Sequence, residues 1–146
     1  MKKIIQSNSA TETEIFGEEF SRTLSAGSIV CLYGNLGAGK TTLTKGFAKG
    51  LGIKERVISP TFSLMRQYKP QNGNISTLYH LDLYRLESLE EIHSIGITDI
   101  LADKEGIVLI EWANKLGKLL PEKRIDIALE EMDDTREITI TWMTPK

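Results

Sequence analysis

The spacing of apolar and polar positions divides the chain into elements. Lys2 to Gln6 reads as a short strand. Ser9-Ala10-Thr11-Glu12 has capping-box spacing, and Ile15, Phe16, Phe20 and Leu24 then recur at helical intervals, predicting a helix that Ala26-Gly27 ends. The apolar run Ser28-Ile29-Val30-Cys31-Leu32-Tyr33 predicts a strand. Thr42 to Leu51 predicts a helix with Leu43, Phe47 and Leu51 on one face and Gly50 and Gly52 as its stop. Ser59-Pro60 disfavours helix at Ser59. Thr61 to Tyr68 and Ile75 to Tyr84 are β-rich, and the turn signal Pro70-Gln71-Asn72-Gly73-Asn74 between them predicts an antiparallel hairpin. Ser88-Leu89-Glu90-Glu91 opens a short helix, and Ile97 to Leu101 is a further helical turn. Ile107-Val108-Leu109-Ile110 is wholly apolar and ends at Glu111, as a strand buried on both faces should. After Pro121, Arg124 to Glu130 and Arg136 to Trp142 alternate around Asp133-Asp134, predicting a second hairpin. Strand–helix units mixed with hairpins imply an α/β fold whose sheet is part parallel and part antiparallel.

One stretch adds chemistry to this pattern. Gly34-Asn35-Leu36-Gly37-Ala38-Gly39-Lys40-Thr41 fits G-x-x-x-x-G-K-[ST] and lies between a predicted strand and a predicted helix, the setting a phosphate-binding loop requires. Its glycines let successive N–H groups converge on one anion, and the helix that follows points its positive end at the same place. Asn35 to Thr42 therefore form the predicted nucleotide cradle, with Lys40 on the β- and γ-phosphates and the Thr41 hydroxyl on Mg²⁺.

A chain of 146 residues is most simply one domain, 1–146, burying about 68–70% of its unfolded surface. A net charge of −2 excludes a dedicated nucleic-acid binder, DNA included, so any RNA contact is local or made through a partner. The single Cys31 forms no internal disulfide, which fits a cytoplasmic setting, and it reads as an inert core thiol. No run approaches membrane-spanning length, and Met1-Lys2-Lys3 is followed by only Ile4-Ile5, too little for the core of a signal peptide.

A phosphate-binding loop needs a carboxylate on a neighbouring strand for its metal. Glu111 and Asp82 both end apolar runs. Glu111 is the expected Mg²⁺ ligand, and Asp82 is expected to position the attacking water or serve the metal's outer shell. Thr61 stands where nucleotide switches keep a threonine that senses γ-phosphate and Mg²⁺. Trp112 and His80 are expected to be structural, His80 with a hydrogen bond. Lys45, Lys49, Lys54 and Arg56 read as a solvated face. Asp103-Lys104-Glu105-Gly106 and Asn114-Lys115 imitate guanine-nucleotide motifs, but Gly117 stands where the guanine-reading acid belongs, so GTP is discounted.

Together GNLGAGKT at Gly34 to Thr41, SPTF at Ser59 to Phe62, YHLDLYRL at Tyr79 to Leu86 and IEW at Ile110 to Trp112 resemble the bacterial TsaE (YjeE) family over nearly the whole chain. The resemblance implies an ATPase of a P-loop NTPase-like, three-layer fold, needed for threonylcarbamoyl-adenosine modification of tRNA. It implies ATP and Mg²⁺ as cofactors, with Lys40, Thr41 and Glu111 at the phosphates and metal and Asp82 and Thr61 near the γ-phosphate. It places the adenosine end near the N-terminal segment and the C-terminal hairpin, which makes Thr11 and Arg136 the candidates for base or sugar contacts. It also implies a TsaB–TsaD heterodimer as partner, with tRNA reached only through it. A small-molecule kinase and a non-hydrolysing nucleotide switch are the competing readings.

Overall fold

The computed structural model describes residues 1–35, 39–58, 60, 64–71 and 73–145. One seven-stranded sheet runs across them in the order β1-β7-β6-β2-β5-β4-β3. Its centre is parallel: β2 (Ile29–Tyr33) lies between β6 (Arg124–Met132) and β5 (Ile107–Glu111), and β4 (Leu78–Asp82) continues beside β5. Both flanks are antiparallel, where β3 (Met65–Tyr68) pairs with β4 and where β7 (Thr135–Met143) joins β6 to β1 (Lys2–Ser7). The mixed sheet and both predicted hairpins are present.

Alternation along the central strands builds two cores. Val30, Leu32, Ile107 and Leu109 face α1 (Ala10–Arg22) and α2 (Lys40–Gly50) and pack with Phe20, Leu43 and Phe47. Ile29, Cys31, Val108 and Ile110 face α3 (Leu89–Ser94), α4 (Ile97–Ala102) and a 3₁₀ segment, Ala113–Leu119. Helices thus cover both faces, giving three layers.

α1 and α2 meet backbone to backbone. A Cβ on Gly46 would stand 1.9 Å from the Glu14 carbonyl oxygen, one on Gly17 2.4 Å from that of Leu43, and one on Gly50 2.0 Å from Ser21 Oγ. At these three positions only hydrogen fits.

Two of the boundaries that differ from expectation do so because a side chain captures the backbone. α1 ends at Arg22 rather than near Ala26-Gly27, since the Thr23 hydroxyl donates to the Phe20 carbonyl at 2.7 Å and its N–H also turns back on that turn. Gly27, at φ 90, instead opens the turn into β2 and donates its N–H to the Gly106 carbonyl at 2.7 Å. β4 stops at Asp82 rather than Tyr84, because Asp82 Oδ1 accepts the Tyr84 N–H at 3.1 Å and bends the chain. The Ser9 cap is as predicted: its hydroxyl accepts the Glu12 N–H at 3.1 Å, and the Glu12 carboxylate accepts the Asn8 N–H.

Candidate functional site

The parallel centre brings the C-terminal ends of β2, β5 and β4 side by side. Leu32 pairs with Glu111, and Glu111 pairs with Asp82, so the two acids are register neighbours at the mouth of the loop that follows β2. Both fall on the alternation that faces α2. Ligands of open α/β sheets bind at such strand ends.

α2 begins at Lys40, two residues earlier than its apolar pattern predicts, with Gly39 before it at φ 102 and ψ 14. That left-handed conformation suits glycine. Among the described residues no side chain caps this helix, and its first turn carries no acid, so its N–H groups and partial positive charge face the mouth. Thr41 is exposed there and Thr42 half-buried, while Asn35 is exposed where the chain leaves β2. Leu36, Gly37, Ala38 and the switch candidate Thr61 lie outside the described residues.

The Lys40 side chain is buried although it carries a charge, and its Nζ stands 5.1 Å from the centre of the Trp112 ring. Trp112, expected to be structural, is half-buried, packs against the core beneath α3 and α4, and sits in the left-handed region at φ 60 directly after Glu111. Tyr84 packs against it with ring centres 5.1 Å apart. Lys115 Nζ donates to the Tyr84 and Leu86 carbonyls at 3.2 and 3.3 Å, tying the segment after β4 to the one after β5.

Glu111 is buried, and its Oε2 accepts a 2.9 Å hydrogen bond from His80 Nε2. Burial pushes the Asp82 carboxyl above the usual carboxylate range. The Tyr84 N–H counters that shift, the nearby Glu111 adds to it, and His80 and Lys40 also counter it. Burial likewise drives the Cys31 thiol up to about 12, which makes it the inert core thiol expected. Lys45, Lys49, Lys54 and Arg56 are all exposed.

The C-terminal hairpin reaches the loop from the other side. Arg136 on β7 packs against Gly39, whose ideal Cβ would stand 3.3 Å from the arginine Cδ and Nε. Its Nε is buried and has no hydrogen-bond partner among the described residues. Thr11 is exposed on the first turn of α1; the threonine that nears Gly39 is Thr13, fully buried and hydrogen-bonded to Ser7 Oγ at 2.7 Å. Sequence reading passed over Thr13, although its place two residues after Thr11 on the capped turn was the available signal. A groove of about 380 Å³ opens beside Gly34 and Asn35, walled by Tyr33 and by Leu129, Glu130 and Glu131 of β6. A larger cavity, about 460 Å³, lies at the far end of α1 and α2 and touches none of these residues.

Among the described residues no three His, Cys, Asp or Glu side chains gather tightly enough to enclose a metal alone. Two carboxylates at the mouth beside the start of α2 would suit instead a cation such as Mg²⁺, which keeps several waters and takes only one or two carboxylates from a protein.

Comparison with known proteins accounts for this arrangement. Residues 7–138 match the family model described as threonylcarbamoyl adenosine biosynthesis protein TsaE. The chain belongs to the TsaE family. Two relatives named tRNA threonylcarbamoyladenosine biosynthesis protein TsaE bear this out. The one from Treponema pallidum is 44% identical over 135 residues, covering 92% of this chain and 96% of its own. The one from Bacillus subtilis is 40% identical over 131 residues, covering 89% of this chain and 79% of its own. The crystal structure of Bacillus subtilis YdiB superposes with a TM-score of 0.78 at 34% identity, over 99% of this chain and 87% of that one. The likeness extends over the antiparallel flanks as well as the parallel centre, so the TsaE fold includes the hairpin that carries Arg136. No helix among the described residues is long and apolar enough to cross a membrane.

Proposed function

We propose that this chain acts in threonylcarbamoyl-adenosine modification of tRNA as a single-domain, cytoplasmic, Mg²⁺-dependent ATPase, and that it works as the ATP-driven conformational partner of a TsaB–TsaD heterodimer. The observation that carries the reading is the register pair Asp82 and Glu111 at the C-terminal ends of adjacent parallel strands, beside the buried cation of Lys40. Asn35 to Thr42 would cradle the phosphates, and the Thr41 hydroxyl with Glu111 would hold Mg²⁺. Bound there, the ion would neutralise charge on the phosphoryl oxygens. Lys40 would leave Trp112 for the phosphate, exchanging a cation–π contact for a charge-assisted one. Asp82, whose carboxyl burial holds above the ordinary carboxylate range, is assigned to orient the attacking water. Thr61 is assigned, from its place in the sequence, to sense the γ-phosphate. Arg136 supports the loop at Gly39, and with Thr11 it is assigned to the nucleoside end. The tRNA pathway enters because the relatives are named for it, and the TsaB–TsaD partner because the family resemblance of the sequence implies it.

The test is steady-state phosphate release by the lone chain, then with TsaB–TsaD, alongside partner binding in ATP, ADP and a non-hydrolysable analogue. Slow release that the pair accelerates, with nucleotide-dependent docking, is expected. Fast turnover alone, or docking indifferent to all three nucleotides, would refute the partnership. Phosphate transferred to a small acceptor would reinstate a kinase.

A further inference from the structure

We propose that His80 is a positioning residue for Glu111: its imidazole holds one carboxylate oxygen so that the other is left to the metal. This rests on the ATP–Mg²⁺ reading above. His80 is 1% exposed in the middle of β4, on the same alternation as Asp82. On the face it shares with Glu111 its neighbours Leu78 and Leu109 are buried and apolar, and its register partner on the other side, Arg66 of β3, is exposed. A leucine at position 80 would pack there with no polar atom to satisfy. The histidine instead uses one nitrogen and leaves the other bare: Nε2 lies 2.9 Å from Glu111 Oε2, and buried Nδ1 has no partner among the described residues.

A carboxylate oxygen accepts, so Nε2 donates. Oε1 takes no part in this bond. A glutamate tethered through Oε2 offers a cation one oxygen in a set orientation, whereas an untethered one could rotate or chelate with both. Metal sites commonly orient a ligand through such a neighbour, and losing it costs about 10–100-fold in metal affinity or activity.

Mn²⁺ is the probe, its free concentration read by electron paramagnetic resonance in the presence of ATP, with ATP affinity measured separately in EDTA. His80→Leu is expected to weaken Mn²⁺ at least about tenfold, with ATP affinity in EDTA unchanged within about twofold. His80→Gln, which can still donate to Oε2, should recover most of the loss. Mn²⁺ affinity unchanged in His80→Leu, or lost equally in His80→Gln, would overturn the proposal. Should the variants fail to fold, imidazole ¹⁵N resonances of the native chain decide. Hydrogen on Nε2 with and without Mg²⁺-ATP is expected, and an Nε2 that carries no hydrogen overturns it. If the native chain shows no metal-dependent ATP affinity, the broader reading has failed, and the native arm alone reveals it.

Discussion

Gly46→Ala tests how the loop helix is held. An ideal Cβ at position 46 would lie 1.9 Å from the Glu14 carbonyl oxygen and 2.8 Å from its carbon. An ordinary C···O approach is about 3.3 Å, so α1 and α2 would have to part by about 1.4 Å, measured against that 1.9 Å. The obstacle is backbone inside a helix, so no side-chain rotation relieves it. Overpacking of this kind costs about 1–3 kcal/mol, occasionally more, while alanine in a helix regains at most about 1 kcal/mol over glycine. A net loss of up to about 2 kcal/mol follows even with that full gain, which for a chain of this size lowers Tm by up to about 8 °C. Gly17→Ala presses on the same crossing at Leu43, so the double variant should lose less than the sum of the two single losses. Because α2 starts at Lys40, ATP affinity should fall as the helices part. Denaturation followed by circular dichroism, with calorimetry for ATP, measures both. A Gly46→Ala protein at least as stable as the native one, or single losses that add fully, would refute the backbone-contact argument.

Lys40→Ala should abolish most ATP affinity while the far-ultraviolet spectrum survives, and Thr41→Ala should show its loss mainly in Mg²⁺ dependence; calorimetry with and without Mg²⁺ separates them. Glu111→Ala should lose both Mg²⁺-dependent affinity and turnover, whereas Asp82→Asn should bind ATP and fail to hydrolyse it; the reverse pattern would exchange the two roles. The folded-state pKa of Asp82 is raised, so the native chain loses stability as pH climbs from the ordinary carboxylate range through that raised value. Asp82→Asn should therefore match native Tm in acid, gain on it across that interval, and keep a constant lead above it. Cys31, buried with its thiol pushed up to about 12, should resist thiol reagents in the native state and react only as the chain unfolds, which a thiol-release assay against urea will follow.

Much of this was legible because it is local. The Gly34–Thr41 motif, the Ser9 cap, the Asp133-Asp134 turn and the apolar run ending at Glu111 each sit within one window of the sequence. What escaped depends on how distant windows meet. His80 and Glu111 are plain in sequence, but their bond needs the offset between β4 and β5, which no periodicity states. Arg136 beside Gly39 likewise follows from a hairpin folding back over the loop, a placement that only the family resemblance hinted at. Trp112 packs at the margin of the α3–α4 core, as a structural tryptophan should, but size and hydrophobicity do not reveal that it follows the acid in a left-handed conformation with Lys40 over its ring. The close approach of Gly17 to Leu43 and of Gly46 to Glu14 was invisible for another reason. A glycine within a helical pattern signals weakness until its opposing backbone is known.

The β4–β5 pairing also says where this chain can change length. One residue inserted or deleted inside Leu78–Asp82 or Ile107–Glu111 would send every later side chain in that strand to the opposite face, exchanging Asp82, His80 or Glu111 with core leucines and isoleucines. The same edit between the strands, where α3 and α4 cover the far face of the sheet, falls outside that pairing and leaves both acids in step. Natural variation in chain length should therefore collect between Leu83 and Gly106, with the two strands kept free of insertions and deletions.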